Sequence, residues 1–293
     1  MVRFLLKSIL LLAMWCLPIF AKVYDLRRDP IDVVIPCGPN DRLIIDRCID
    51  HVRAYVKNVN RIIVISPKKY TNKAEWVNER DYPFAELYLS KKSPFYPLIH
   101  HSTTWLFQQL LKLYAFEMIP NLSSNILVLD ADTFFLQPIE LINERGEPYF
   151  NVGVQCYEKY FNMGKKLIPQ FQRVHAEYSG ICNYMVFQRP VVEELLRTVR
   201  DLHNCEFYEV LAKCYDPKYC PDWAQNLSEE ERNACHFSEY ELYFNYFLKN
   251  SDQGHIRYLL WDDVPNCDKK SLKGYANKGY SHVSAHHWMR KKF

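Results

Sequence analysis

The sequence predicts an α/β fold, with a mixed, mainly parallel sheet flanked by helices, and three observations predict it. Ile31-Asp-Val-Val-Ile-Pro36 is a short β-branched run closed by Pro, Cys, Gly and Pro, the pattern of a buried strand and its loop. Leu43, Ile44, Cys48, Ile49, Val52 and Val56 then recur at helical spacing up to Lys57, with Asp41 placed to cap the helix. Arg61-Ile-Ile-Val-Ile-Ser66 repeats the strand pattern before Pro67. Strand, helix and strand in so short a span form a βαβ unit, which requires a parallel sheet with a right-handed crossover. The third observation is Asn125-Ile-Leu-Val-Leu-Asp130, whose unbroken apolar run suits a central strand covered on both faces.

The remaining elements follow in order. Ser102 to Met118 carries apolar residues at helical spacing and leads through Pro120 into the strand that ends at Asp130. Tyr149 to Gln155 and Ile181 to Phe187 read as strands, and Pro190 opens a helix that reaches about Leu202. His236 to Lys249 reads as an aromatic-rich helix, Ile256 to Trp261 as a strand, and Ser281 to Ala285 as a last short strand. No repeat or low-complexity linker interrupts the chain, so one domain over 30–293 is expected. A Cys-rich insertion falls at about 203–236, where the acceptor pocket is expected.

Composition narrows the function. With 48% hydrophobic residues over 293 positions the chain can bury a large core, and a net charge of +3 without a basic run argues against a nucleic-acid partner. The short basic end from Arg290 reads as a solvated tail. At the N-terminus Arg3 and Lys7 precede an uncharged run from Ser8 to Ala21, shorter than the about 20 residues a spanning helix needs. Residues 1–21 therefore read as a signal peptide, with a short signal anchor and membrane association as the alternative. Export into the endoplasmic reticulum or Golgi lumen is expected, with secretion as second choice. Cys205, Cys214, Cys220 and Cys235 read as a disulfide-stapled loop of an oxidising compartment, in preference to a zinc site, because no C-x-x-C pair is present. Asn121-Leu-Ser123 and Asn226-Leu-Ser228 are glycosylation sequons.

Chemistry concentrates where the Asn125–Leu129 run ends in Asp130-Ala-Asp132. In an open α/β sheet the carboxyl edge of the strands is where ligands bind. Two carboxylates there can share a divalent cation that keeps coordination positions open for phosphates. The same residues also suit a turn or a helix cap. Glu239 and Glu241 form a second acidic pair. Two residues apart on a helix they point in opposite directions, so only one can face a cleft.

Taken together, the Ile-Asp-Val-Val-Ile-Pro strand, Trp105-x-x-Gln108-Gln109-Leu-Leu-Lys112-Leu, Leu-Val-Leu-Asp130-Ala-Asp132-Thr and Ser238-Glu239-Tyr-Glu241-Leu-Tyr243 resemble a GT-A fold glycosyltransferase. The likeness covers about Ile31 to Trp288. It is nearest to a poorly characterised group of D-x-D transferases distantly akin to the glycogenin and lipopolysaccharide galactosyltransferase family. What the resemblance implies is transfer of a hexose from a nucleotide-diphosphate sugar, UDP-sugar favoured, to a glycan, protein or lipid acceptor, with Mn²⁺ or Mg²⁺ as cofactor. It further implies Asp132 as the direct metal ligand, Asp130 on ribose or on the metal through water, and a C-terminal His as third ligand, His286 ahead of His287. Glu239, with Glu241 behind it, becomes the candidate general base. Lys112 becomes a candidate for the donor phosphates, unless it is a solvated helix residue. Gln109 is a candidate for donor or acceptor sugar, Trp105 is more simply core, and Asn40 and Asp41 lie where such folds place the nucleobase. Two other readings compete: a haloacid-dehalogenase-like phosphatase, with Asp262 and Asp263 as its later acidic pair, and a secreted carbohydrate-binding protein that keeps the fold without turnover.

Overall fold

A computed structural model of the chain describes residues 21–94, 96, 103–215 and 236–290. The leader, the Asn226 sequon, Cys220 and Cys235 lie outside these residues. Strand β1 (Ile31–Pro36) is buried at every position and pairs in parallel with β2 (Val59–Ser66) across α1 (Ile45–Tyr55). Strand β3 (Glu75–Asn78) adds in parallel to the outer edge of β2. Helices α2 (Ala85–Leu89), α3 (Thr103–Leu113) and α4 (Ala115–Met118) then return the chain to β4 (Asn125–Leu129), which pairs in parallel with β1.

Short strands β5 (Thr133–Phe135) and β6 (Tyr149–Asn151) and helix α5 (Glu158–Leu167) precede β7 (Tyr184–Gln188), which runs antiparallel to β4. The five-stranded sheet therefore has the order β3-β2-β1-β4-β7 and is parallel except at its last strand. This is the mixed, mainly parallel α/β sheet that the βαβ pattern predicts. Helices α6 (Arg189–His203), α7 (Phe207–Lys213) and α8 (Glu239–Asn250), strands β8 (His255–Arg257) and β9 (Trp261–Asp263), α9 (Lys269–Asn277) and β10 (His282–Ser284) complete the chain.

Alternation along the strands divides the core. Ile126 and Val128 face one layer with α3, α6 and α8, while Leu127 and Leu129 face the other with α1 and β10. A small sheet of order β5-β10-β9 caps the second layer. There β10 pairs antiparallel with β5, Val283 opposite Phe134, and parallel with β9, Ser284 opposite Asp263. That pairing carries the C-terminal residues to the carboxyl end of β4.

Several boundaries differ from the sequence reading, each for a local reason. Asp41 does not cap α1. The helix opens at Ile45 after a turn in which the Asp41 carbonyl accepts from Ile44 and Ile45, and the Asp41 side chain pairs instead with Arg290. Arg290 is accordingly part of the folded body, its side chain only 8% exposed, and not a solvated tail. The helix expected from Ser102 to Met118 breaks at Tyr114, where ψ is 6°. Strand β7 begins only at Tyr184 because Asn183 has φ 66°, a left-handed conformation that Asn tolerates better than most residues. The strand expected over Ile256 to Trp261 is two strands, one pairing with β6 and one with β10. No helix among the described residues is long and apolar enough to cross a membrane. The Cys205 thiol donates to Glu209 at 2.7 Å and accepts from Lys213 at 2.9 Å, and it forms no disulfide among the described residues.

Candidate active site

Asp130 and Asp132 follow the last residue of β4 at the carboxyl edge of the parallel strands, the edge at which Asn40 and Asp41 also leave β1. Asp130 Oδ1 accepts from Lys112 Nζ at 2.5 Å and from Gln108 Nε2 at 3.2 Å. Gln108 and Lys112 are four apart on α3, so they share one face of it. Lys112 is 1% exposed, and its ammonium also donates to Glu239 Oε1 at 2.6 Å and to Tyr240 Oη at 2.9 Å. Its three N–H groups are thus all engaged. Lys112 is an interior ion, not the solvated residue that helical spacing also allowed.

One ammonium between the buried Glu239 and the partly buried Asp130 sets the local electrostatics. Burial works against the charge on Lys112, yet Asp130 and Glu239 outweigh it and hold its pKa up. Both carboxyls are themselves raised, first by burial and then by other acids nearby, with Lys112 opposing. Asp41 is raised in the same way, by burial and by Asp132, against Arg290. This end of the sheet therefore holds more carboxylate than cation, and a further positive charge would be stabilised there.

Glu239 and Glu241 separate as helix geometry requires. Ser238 caps α8 by accepting from the Glu241 amide at 3.3 Å, and the Glu239 amide donates to Gln109 Oε1 at 2.9 Å. Glu241 turns away from Asp130. Its Oε2 accepts from Ser179 Oγ at 2.8 Å and the Gly180 amide at 2.9 Å, and its Oε1 accepts from Asn245 at 3.2 Å. Both oxygens serve the protein interior, so Glu241 braces the loop before β7. Gln109 is likewise internal: its other end donates to the Trp105 carbonyl at 3.2 Å, and the residue is 3% exposed. Trp105, read from its spacing as core, is 44% exposed and donates its indole N–H to the Phe237 carbonyl at 2.9 Å. Asn40 offers its carbonyl to Arg290 at 3.1 Å, the residue that also pairs with Asp41.

Three histidines follow β9, and the structure gives them three different surroundings. The strand ends at Ser284 and the chain then turns, with the Met289 and Arg290 amides donating to the His286 carbonyl, so strand alternation does not extend to His286 and His287. His286 Nδ1 donates to Asp132 Oδ2 at 3.0 Å and its Nε2 to Asp263 Oδ1 at 3.1 Å. Trp288 stacks on the ring at 4.5 Å and 12°. Burial opposes charge on His286, but the bonds to Asp132 and Asp263 dominate and raise its pKa to about 10. His287 is exposed, packs edge-on to Trp288 at 5.0 Å, and makes no hydrogen bond to Asp130 or Asp132 among the described residues.

His282 is wholly buried. Its Nε2–H donates to the Cys182 carbonyl at 3.0 Å, and its ring stacks on Trp261 and meets Tyr184 edge-on. Burial, against the pull of that carbonyl, drives its pKa down to about 3. A base whose folded pKa lies below its unfolded value stabilises the fold above the unfolded value near 6.5 and loses that contribution as pH falls toward the folded one. Acidification from pH 7 to pH 5 is therefore expected to remove about 2 kcal/mol through His282. Urea unfolding of the wild type and of His282→Phe at both pH values measures it, and an equal pH dependence in the two proteins would refute the assignment.

Residues outside the sequence-based set also belong to the site: Gln108, Tyr240, Asn183, Asp263 and Arg290. The i, i+4 relation to Lys112 is a signal for Gln108 over Gln109. Asp263 and Arg290 carry no such signal, since only the β9–β10 pairing brings them near Asp132.

Asp132 Oδ1 is buried and has no hydrogen-bond partner among the described residues. No three His, Cys, Asp or Glu side chains among those residues form a complete metal cage. Among solved structures the chain is similar to the galactosyltransferase LgtC in complex with donor and acceptor sugar analogues, with TM-score 0.41, 11% identity and 87% of each chain covered. It is also similar to mouse xyloside xylosyltransferase 1 in its apo form, with TM-score 0.41, 10% identity, and 89% of this chain and 100% of that chain covered. A third similar structure is the bifunctional glycosyltransferase WbbM in its apo form, with TM-score 0.43, 13% identity, and 89% of this chain and 46% of that chain covered. No curated protein matches the sequence. A profile for a family of unknown function matches residues 43–291, a span that holds α1 to β10, the D-x-D triplet and the His286 segment. The chain belongs to that family of unknown function, DUF6492.

Proposed function

We propose that the protein is a divalent-metal-dependent glycosyltransferase that moves a hexose from a nucleotide-diphosphate sugar, with a UDP-sugar favoured, to a glycan, protein or lipid acceptor. The observation that carries this reading is Asp132 at the end of the central strand, with one buried oxygen unpartnered and the other 3.0 Å from an imidazole nitrogen. A separation near 3.0 Å is the edge of an octahedron whose metal–ligand bonds are about 2.1 Å, so Asp132 and His286 fit Mn²⁺ or Mg²⁺ as neighbouring ligands. Two protein ligands suffice where substrate phosphates and water complete the shell, which is how Mg²⁺ is commonly held. Such an ion, when bound, offsets the negative charge that develops as a nucleoside diphosphate leaves.

The protein's own residues supply the rest. Lys112 and Gln108 fix Asp130 beside Asp132, and Glu239 is the acidic residue of the α8 pair that shares this network. It is therefore our candidate to receive the acceptor proton. With the N-terminal apolar segment read as a leader, the enzyme works in the lumen of the secretory pathway.

Titration calorimetry with UDP in Mn²⁺ and then in EDTA tests the reading. UDP binding in Mn²⁺ and its loss in EDTA are expected. Silence toward UDP, GDP and CDP in a folded protein would overturn it and favour the phosphatase or the carbohydrate-binding protein.

A further inference from the structure

Asp263 stands at the end of β9, opposite Ser284 of β10, and β10 delivers His286 two residues later. The strand pairing thus brings the carboxylate to the side of the imidazole remote from Asp132. Asp263 Oδ1 takes two bonds, from His286 Nε2 at 3.1 Å and from Asn183 Nδ2 at 3.2 Å. Asn183 is 7% exposed and sits at φ 66°. Its carbonyl accepts the Asp130 amide N–H at 3.2 Å, so this one residue is bonded both to the D-x-D backbone and to Asp263. The Trp288 ring stacked on His286 fixes the plane of the imidazole.

We infer that Asp263, oriented by Asn183, is a positioning residue that retains the Nε2 proton of His286 and so presents Nδ1, on the Asp132 side, as the nitrogen that meets the divalent cation. The inference rests on the metal reading above and adds to it the residue that sets the ligand's tautomer. An imidazole can offer only one nitrogen to a cation while the other keeps its proton. A carboxylate on the protonated side decides which nitrogen that is, and raises the ring's basicity. Asp263 meets that requirement geometrically: it faces the far nitrogen and is itself held by a buried amide. A surface ion pair would need no such support.

The test is Mn²⁺ affinity with UDP present, read by the electron paramagnetic resonance signal of free Mn²⁺, for wild type, Asp263→Ala, Asp263→Asn and Asn183→Gly. Asp263→Ala is expected to weaken Mn²⁺ binding by about 10–100-fold, the usual effect of removing a carboxylate behind a metal-binding histidine. Asp263→Asn, nearly the same shape, is expected to lose about 10-fold. Asn183→Gly keeps the left-handed backbone and removes only the amide, and is expected to lose severalfold. Thermal unfolding in EDTA, unchanged in Asp263→Asn, separates positioning from a general loss of structure. Wild-type binding matched by equal binding in Asp263→Ala and Asp263→Asn would overturn the inference and leave the metal reading standing. No Mn²⁺ binding by the wild type would overturn both, a result distinct from the first.

Discussion

Replacing Lys112 with methionine is expected to destabilise the fold by about 3–5 kcal/mol near neutral pH, the range found when one partner of a buried ion pair is removed. The reason is what the ammonium leaves behind. Lys112 side-chain exposure is 2%, and its partners Asp130 and Glu239 are 20% and 3% exposed. Without the cation, Glu239 becomes a carboxylate with neither water nor counter-ion close by, and Asp130 retains only Gln108 of its two side-chain donors. Methionine fills the same volume, so the loss is electrostatic and not a cavity.

The pH dependence has a definite sign. Both carboxyls already sit above their usual pKa through burial and neighbouring acids, and losing Lys112 raises them further. A carboxyl with a raised folded pKa binds protons more readily folded than unfolded, so the variant's deficit shrinks as pH falls. Glu239→Gln in the methionine background is expected to recover part of the loss, giving a coupling energy in a double-mutant cycle. Urea unfolding of the four proteins at pH 7 and pH 5.5 measures both effects. A loss under about 1 kcal/mol, the level of an exposed pair, would show that solvent reaches the ammonium.

How far the site was legible in the sequence follows from which residues are fixed locally. The parallel sheet was readable because Ile31–Pro36 and Asn125–Leu129 are buried on both faces, and strands of that kind show themselves as apolar runs, here Val33–Pro36 after the buried Asp32 and Ile126–Leu129 after the buried Asn125. The D-x-D triplet was readable for the same reason, since an abrupt change from Leu129 to Asp130 marks a strand end. That Glu239 and Glu241 point apart follows from helix geometry alone. The sequence could not show that Glu241 is spent on Ser179 and Gly180, because that contact joins α8 to a loop about 60 residues away.

Gln108 and Lys112 were half legible. Their helical spacing puts them on one face, but only the packing of α3 against α8 turns that face toward Asp130 and Glu239. Trp105 misled, because an aromatic residue at core spacing lies here at the rim of α3, with its indole bonded to Phe237. Asn183 and Arg290 were illegible as site residues, and Asp263 was singled out only for the phosphatase reading. Each reaches the site through a long-range pairing, and Asn183 depends on a backbone conformation that no local pattern announces.

Asp132→Asn is the second large expected effect: turnover of the nucleotide sugar falls by about 10²–10³, the range seen when one group that stabilises developing charge is removed. The substitution keeps the side chain's shape and removes the charge of the carboxylate whose Oδ2 lies 3.0 Å from His286 Nδ1, the pair proposed to hold the cation. The fold should tolerate it. The Asp132 carbonyl accepts from the Ala285 amide at 2.9 Å whatever the side chain, and relief of repulsion on Asp41 and Asp130 offsets the weakened charge pair with His286, which keeps Asp263 as a partner. Activity is therefore expected to fall far more than stability, as it does where a site is built for a ligand and not for the empty fold. Thermal unfolding separates the two. An ion at 100 times its dissociation constant adds about 2.7 kcal/mol to the stability of a protein that binds it only when folded. Mn²⁺ with UDP is thus expected to raise the wild-type midpoint and leave Asp132→Asn where it was. If Mn²⁺ raised both midpoints equally, Asp132 would not be a ligand, and the charge imbalance at the end of β4 would need another cause.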